Sequence, residues 1–332
     1  MKKYIVYTFG LLAGMAGMAC SDNLPDNGQG EEAATSGNLS LLSVELAEVP
    51  TRSSVTSISS VRLYVANAAD DSLYNKTVPS LLFEQSGGRW SSEQSVEIIA
   101  DKAAKVYGGY PSDATLTDDN KTPKIKVILR KGSDSDPVDA TEALDFLATQ
   151  QADYLYSGPV GASSTNRAIS LRMKHALTKV SFRIAKATDV SEKLTLTKLV
   201  IRSEGSKLQT GQDGRMLLTD GTLNALVATS SIVLTGETVL SAKQDNPNVT
   251  CLLAPMNSAE SVLSFGLTVM VGEGADAVER TFNTASITPA VQWLAGKHYV
   301  YQITVNKMSG KLDGVKVEDW KNDASQNTQI GI

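Results

Sequence analysis

The chain is poor in the residues from which most catalytic and metal-binding sites are built. Among 332 residues there are two cysteines and two histidines, too few soft ligands for a structural zinc site or a disulfide framework. Charged residues make up only 20%, with 31 Lys and Arg against 36 Asp and Glu and a formal net charge of −5. No dense basic field exists to grip nucleic acid or anionic lipid by counterion release, so nucleic acid is not an expected partner. HExxH, CxxC, GxGxxG and GxSxG are all missing. Gly296-Lys297 ends like a phosphate-binding loop, but Val291 stands where its first glycine belongs and His298 where Ser or Thr is needed. Asp134-Ser135-Asp136 and Asp213-Gly214 lack the later bidentate Glu of a calcium loop and read as turns. What is abundant is Ser and Thr, 63 together, residues suited to the polar faces of strands. The composition points to a β protein outside the cytoplasm, without cofactor or enzymatic activity.

Residues 1–19 read as an export signal. Lys2 and Lys3 precede an apolar stretch from Ile5 to Ala19, which would rise only about 22 Å as a helix, short of a ~30 Å hydrocarbon core. Gly17-Met18-Ala19-Cys20 resembles a lipoprotein signal with Cys20 as the lipidated N-terminus, although Gly17 stands where Leu is usual. Ordinary cleavage after Ala19 satisfies the same small-x-small rule. Residues 21–40 are rich in Gly, Asn, Asp, Glu and Ser, a composition that cannot bury enough surface to order itself and reads as a tether. A partly alternating run follows, with Leu39, Leu41, Val44, Leu46 and Val49 as its apolar positions and Pro50 as its end; it reads as a strand. Thr51-Arg52-Ser53-Ser54 then forms a polar turn carrying a protease-accessible Arg52.

Beyond Arg52, short β runs alternate with turn clusters: Val61–Val65, 96–100, 105–110 and 124–129, then 169–175, 180–184, 194–201, 249–254, 262–271, 277–282, 299–305 and 315–317. Thr141–Gln151 carries Ala143, Leu144, Leu147 and Ala148 at helical spacing with Asp139 and Thr141 available as caps, and predicts a short helix. The stretch from Gly158 to Asn166 reads as a loop and Gln209–Gly221 as hairpin-turn chemistry. Strands at close intervals with few helices mean sandwiches. A boundary near residues 163–166 divides the chain into 53–165 and 166–332.

The two histidines, His175 and His298, lie on separate strands and read as partly buried groups satisfying carbonyls rather than as an acid–base pair. Trp90, Trp293 and Trp320 are too far apart in sequence for a sugar-stacking platform and read as packing residues. Asp71-Ser72-Leu73 matches the short acceptor pattern of periplasmic O-glycosylation at Ser72, a pattern brief enough to recur by chance.

Five segments taken together resemble the fimbrillin family, the type V pilin-like lipoproteins of the Bacteroidales. Val106-Tyr107-Gly108-Gly109-Tyr110-Pro111 resembles its "vYAyYP" strand end, with Gly108 in place of Ala. Asp153-Tyr154-Leu155-Tyr156-Ser157 is similar to its "D-ylyg" segment, and 171–184 to its "l-H-lakv-f-i" junction. Trp293–Tyr301 is similar to "w-aGk-Y-Y" and Val317-Glu318-Asp319-Trp320 to the terminal "I-W" strand. The resemblance implies an all-β fold of two transthyretin-like Greek-key β-sandwich domains in tandem. It also implies an outer-membrane lipoprotein precursor trimmed by a surface Arg-specific protease, here between Arg52 and Ser53, and then an extracellular fimbrium. Cutting there would discard residues 20–52 with the lipid anchor and the strand carrying Leu39, Leu41, Val44, Leu46 and Val49. The tail with Ile330 and Ile332 on one face is the candidate donor strand, an alternative being a frayed end. Expected partners are other fimbrial subunits, the protease and a host or bacterial surface receptor. The rival readings are an anchor or tip subunit of the same fimbria and a glycan-binding surface lipoprotein.

Overall fold

The computed structural model describes residues 35–47, 58–117, 122–135, 139–256, 262–287, 292–306 and 309–319. They form an all-β chain in which the one helical element among the described residues is the three-residue 3-10 turn Gly274–Asp276. Strict alternation makes the strands: Ala168–His175 is exposed and buried at every second residue, and Lys124–Leu129 follows the same rhythm.

A seven-stranded sheet runs in the order Ser40–Leu46, Ala168–His175, Leu155–Ala162, Ala104–Tyr110, Ser60–Asn67, Leu81–Ser86, Arg89–Ser91. Its two edge strands lie against each other, so the sheet rolls around its own apolar face, where Leu63, Leu81, Val106 and Leu171 are buried. A Cβ on Gly108 would come 2.7 Å from Leu171 Cδ1; the space that an alanine would use is taken by this leucine. On the other face Tyr64 and Tyr107 pack with Ile125, Val127, Met216 and Leu218, brought there by a sheet that pairs Lys124–Leu129 with Leu208–Leu217. The turn at Ser163–Asn166, where composition suggests a boundary, joins antiparallel neighbours of the rolled sheet.

From Thr178 onward two four-stranded sheets face each other. One is ordered Val249–Leu253, Thr178–Lys186, Lys297–Val305, Gly310–Asp319, the other Ser231–Val239, Leu194–Ser203, Leu263–Val271, Val278–Asn283. Phe182, Phe265 and Tyr301 meet between them with ring centroids 4.9, 5.5 and 4.8 Å apart, within the favoured range for aromatic pairs. Trp293 is fully buried and donates its Nε1–H to Tyr301 Oη at 2.9 Å. Cys251 is buried in the same core, and burial pushes its thiol pKa up.

Three expectations are corrected. Residues 141–151 form successive turns rather than a helix. Asp145 Oδ1 accepts the Leu147 and Thr149 amides, and Ala148 adopts φ +54°, so a side-chain carboxylate takes donors that a helix would need. Leu155–Ala162 is a strand despite Gly158 and Pro159, because a register shift between Tyr156 and Pro159 absorbs them. Leu208–Leu217 is a strand as well, irregular between Gly211 and Gly214, with the turn beginning only at Leu218.

Tyr64 Oη is buried without a hydrogen-bond partner among the described residues, and burial pushes its pKa up to about 12. Tyr64→Phe removes that unpaired hydroxyl and is expected to be neutral or to stabilise by up to about 1 kcal/mol in urea denaturation at pH 7. The folded pKa lies above the unfolded one, so this group's contribution is full below pH ~10 and is lost as pH rises through about 12; the variant loses less stability over that window. Gly132 has φ +74°, and a Cβ there would lie 1.6 Å from the Val233 carbonyl oxygen. Gly132→Ala is expected to destabilise by about 1–3 kcal/mol, read from the same denaturation curves.

Candidate functional site

The strand Ser40–Leu46 is the site that the sequence singles out, and its setting follows from its side chains. Leu39 and Leu41 are each 5% exposed, while Val44 and Leu46 are half-buried against the same apolar cluster. Between the two pairs the register to Ala168–His175 slips: Leu41 lies opposite Ile169 and Ser43 opposite Ser170. Leu42 is the extra residue, 63% exposed, and this bulge lets apolar positions of opposite parity face one core. The doublet Leu41-Leu42 is its sequence signal.

The strand runs parallel to Ala168–His175 at one end of the rolled sheet. Ser40 N donates to Arg167 O at 2.9 Å and Ala47 N to Met173 O at 2.7 Å. Just before it, Gly37–Asn38 pairs with Glu97–Ile98, and Leu39 N donates to Val96 O at 2.9 Å. Arg167 donates to Thr35 O at 2.8 Å and Arg172 to Ala47 O at 3.2 Å. Both arginines and the Val96–Ile98 segment are contacts that sequence reasoning missed, because nothing in a local pattern says which distant strand lies alongside. The strand thus closes the gap between the sheet's two edges, touching Arg89–Ser91 on its far side.

Of the other expected site residues, Cys20, Val49, Arg52, Ser53, Ile330 and Ile332 lie outside the described residues. His175 Nδ1 is 2.8 Å from Asp153 Oδ2, and His298 Nε2 is 2.8 Å from Ser181 Oγ. The two histidines belong to different sheets, and Ser181 is closed off from solvent. Trp90 packs on the rolled-sheet core and Trp293 is fully buried in the facing sheets, while Trp320 lies outside the described residues. The Ser72 hydroxyl donates to Asp70 Oδ1 at 2.8 Å and accepts from Asn67 Nδ2 at 2.6 Å. Among the described residues, no group of three His, Cys, Asp or Glu side chains is placed to hold a metal, and no helix is long and apolar enough to cross a membrane.

Comparison with known proteins places this architecture. A sequence model of the fimbrillin-like family matches residues 51–320. No curated protein matches the chain. Among solved structures, a fimbrial protein from Bacteroides vulgatus is similar over 86% of this chain and 99% of its own, with TM-score 0.57 and 11% identity. A proposed cell adhesion protein from Bacteroides ovatus covers the same shares with TM-score 0.55 and 14% identity. One from Bacteroides uniformis does so with TM-score 0.50 and 18% identity. At these identities the likeness is one of fold. With the family pattern running through most of its length, the chain belongs to the fimbrillin-like family of fimbrial and cell adhesion proteins.

Proposed function

We propose that the chain is a structural subunit of a cell-surface fimbria, exported as a lipoprotein on Cys20 and made competent for polymerisation by proteolysis after Arg52. The observation that carries this reading is the edge strand Ser40–Leu46, which ends shortly before Arg52 and which, with the preceding Leu39, buries Leu39 and Leu41 in the core of the rolled sheet. Its removal would leave the Ala168–His175 edge with unpaired N–H and C=O groups beside an uncovered apolar face. Such an edge recruits another strand.

The replacement comes from a neighbouring subunit. Its tail, with Ile330 and Ile332, is the segment we assign to it, giving head-to-tail growth. The groove offers two deep positions, those of Leu39 and Leu41, and two shallower ones, those of Val44 and Leu46. Two isoleucines two residues apart match the spacing of the deep pair. The bond after Arg52 is the substrate of an Arg-specific surface protease, and cutting it also removes charge. Residues 1–52 hold three bases and six acids, so 28 bases and 30 acids remain, a net of −2. A near-neutral subunit suffers little self-repulsion in a filament. The precursor sits on the outer membrane through its lipid, and the mature subunit is extracellular. Other fimbrial subunits and a surface receptor are its partners.

Treatment of the purified precursor with an Arg-specific protease is expected to give an N-terminus at Ser53 and a ladder of multimers on gels. Arg52→Ala stays monomeric, and a peptide of residues 36–47 added to the cut chain suppresses the ladder. A chain cut at Arg52 that remains monomeric, or an Arg52→Ala chain that assembles, overturns the activation step. In the uncut chain, Leu41→Ala is expected to lower stability by about 2–5 kcal/mol, measured by urea denaturation.

A further inference from the structure

The N-terminal segment is held in its groove by more than its ladder and its leucines. Thr35 lies before Gly37, the first residue paired in a sheet, and Ala47 after Leu46, the last. At each of these ends the carbonyl is met by an arginine. Arg167 Nη1 donates to Thr35 O at 2.8 Å and Arg172 Nη2 to Ala47 O at 3.2 Å. A carbonyl past the end of a ladder has no N–H of the neighbouring strand opposite it, and here a side chain supplies the donor.

Both acceptors are main-chain groups. Arg172 stands opposite Glu45 in the register, yet its hydrogen bond goes to the backbone of Ala47. Ala47 is gripped through both its polar groups, since its N–H also donates to Met173 O at 2.7 Å. Arg167 acts twice as well: its own carbonyl accepts from Ser40 N at 2.9 Å while its guanidinium reaches Thr35. That guanidinium lies against Gly37, where a Cβ would come 2.3 Å from Nη1 and 2.6 Å from Cζ. Arg172 belongs to Ala168–His175 and Arg167 directly precedes it, so both stay with the groove when the segment leaves.

A guanidinium carries only donors, so what these two side chains recognise is an oxygen, whatever side chains flank it. We propose that Arg167 and Arg172 are positioning residues, a main-chain clamp that holds the strand in this groove by a carbonyl at each end. The N-terminal strand is its first occupant and the strand that replaces it is the second. The second half rests on the strand-exchange reading above; the first half does not. The clamp leaves the occupant's solvent-facing side chains free to vary, and it asks for a main chain that spans the positions of Thr35 to Ala47. An occupant that stops short of either end engages one arginine only.

Hydrogen exchange on the full-length chain with Arg52→Ala and Cys20→Ser tests the clamp with cleavage and lipidation both closed. Arg172→Ala is expected to speed exchange at the Ala47 amide, and Arg167→Ala at the Ser40 amide, by about three- to tenfold, the range of one lost hydrogen bond. The backbone acceptors of both amides are untouched by these changes. Amides of Lys124–Leu129 keep the parent rates. Arg172→Lys, which retains a donor, recovers part of the protection, and Gly37→Ala, whose methyl takes the guanidinium's place, reproduces Arg167→Ala. Glu45→Gln leaves the rates as they are. If it matches Arg172→Ala instead, an ion pair is the hold and the main-chain clamp is overturned. Rates at residues 39–47 that ignore both alanine variants, or that rise in step with Lys124–Leu129, overturn it too. For the second occupant, the anisotropy of a labelled peptide of residues 35–47 is followed with the chain cut after Arg52. Arg172→Ala is expected to weaken its binding about three- to tenfold. Equal binding by parent and variant removes the second half of the proposal. A parent that binds no peptide removes it together with strand exchange, while the uncut chain still decides the first half.

Discussion

The seating of Leu39 and Leu41 against Ala168–His175 is the contact on which the first half of the molecule depends. A seven-stranded sheet that rolls around its own apolar face must close, or its last strand keeps a row of unsatisfied backbone groups beside an open core. Closure is supplied by an N-terminal segment that pairs in parallel on one side and touches Arg89–Ser91 on the other. The strand contributes two fully buried leucines, each worth about 1.5–3 kcal/mol. That is enough to hold the rolled sheet closed.

The facing sheets obey the same constraint and satisfy it from within. Their core is sealed by the Phe182, Phe265, Tyr301 and Trp293 group, and two of their edges are bonded by Lys131, Leu144, Phe146 and Gln151. The cover comes from a stretch that has helical apolar spacing but cannot be a helix. Asp145 captures backbone amides, and the Leu144 and Phe146 carbonyls are used by neighbouring strands. Tertiary demand for acceptors along an exposed edge outweighed local helix propensity there. Arg280 guards a third edge by burying no side chain and offering a charge where a partner strand would need an apolar one.

Much of this was legible in the residues. Alternation located Ser60–Asn67, Ala168–His175, Leu194–Ser203 and Leu263–Val271 within a residue or two, because a half-buried strand writes its burial into every second position. The apolar positions of the N-terminal strand were legible for the same reason. Leu155–Ala162 and Leu208–Leu217 were not, since their Gly and Pro residues read locally as turns. Only the neighbouring strands, which tolerate a register shift at Tyr156/Pro159 and at Gly211/Gly214, make them ladders.

The sequence by itself determined the class of the protein: β-rich, poor in metal and nucleophile chemistry, with an apolar strand ahead of Arg52. These are properties of composition and short-range period, which depend on no distant partner. Tertiary structure alone decided that the strand is an edge and runs parallel to residues 168–175. It also decided which groups Trp293, His175 and His298 lie against, and that Gly310–Asp319 ends its sheet among the described residues with Val315 and Val317 exposed. Pairing partners are chosen over more than a hundred residues of separation by the shape of a shared core, and no local pattern encodes that choice.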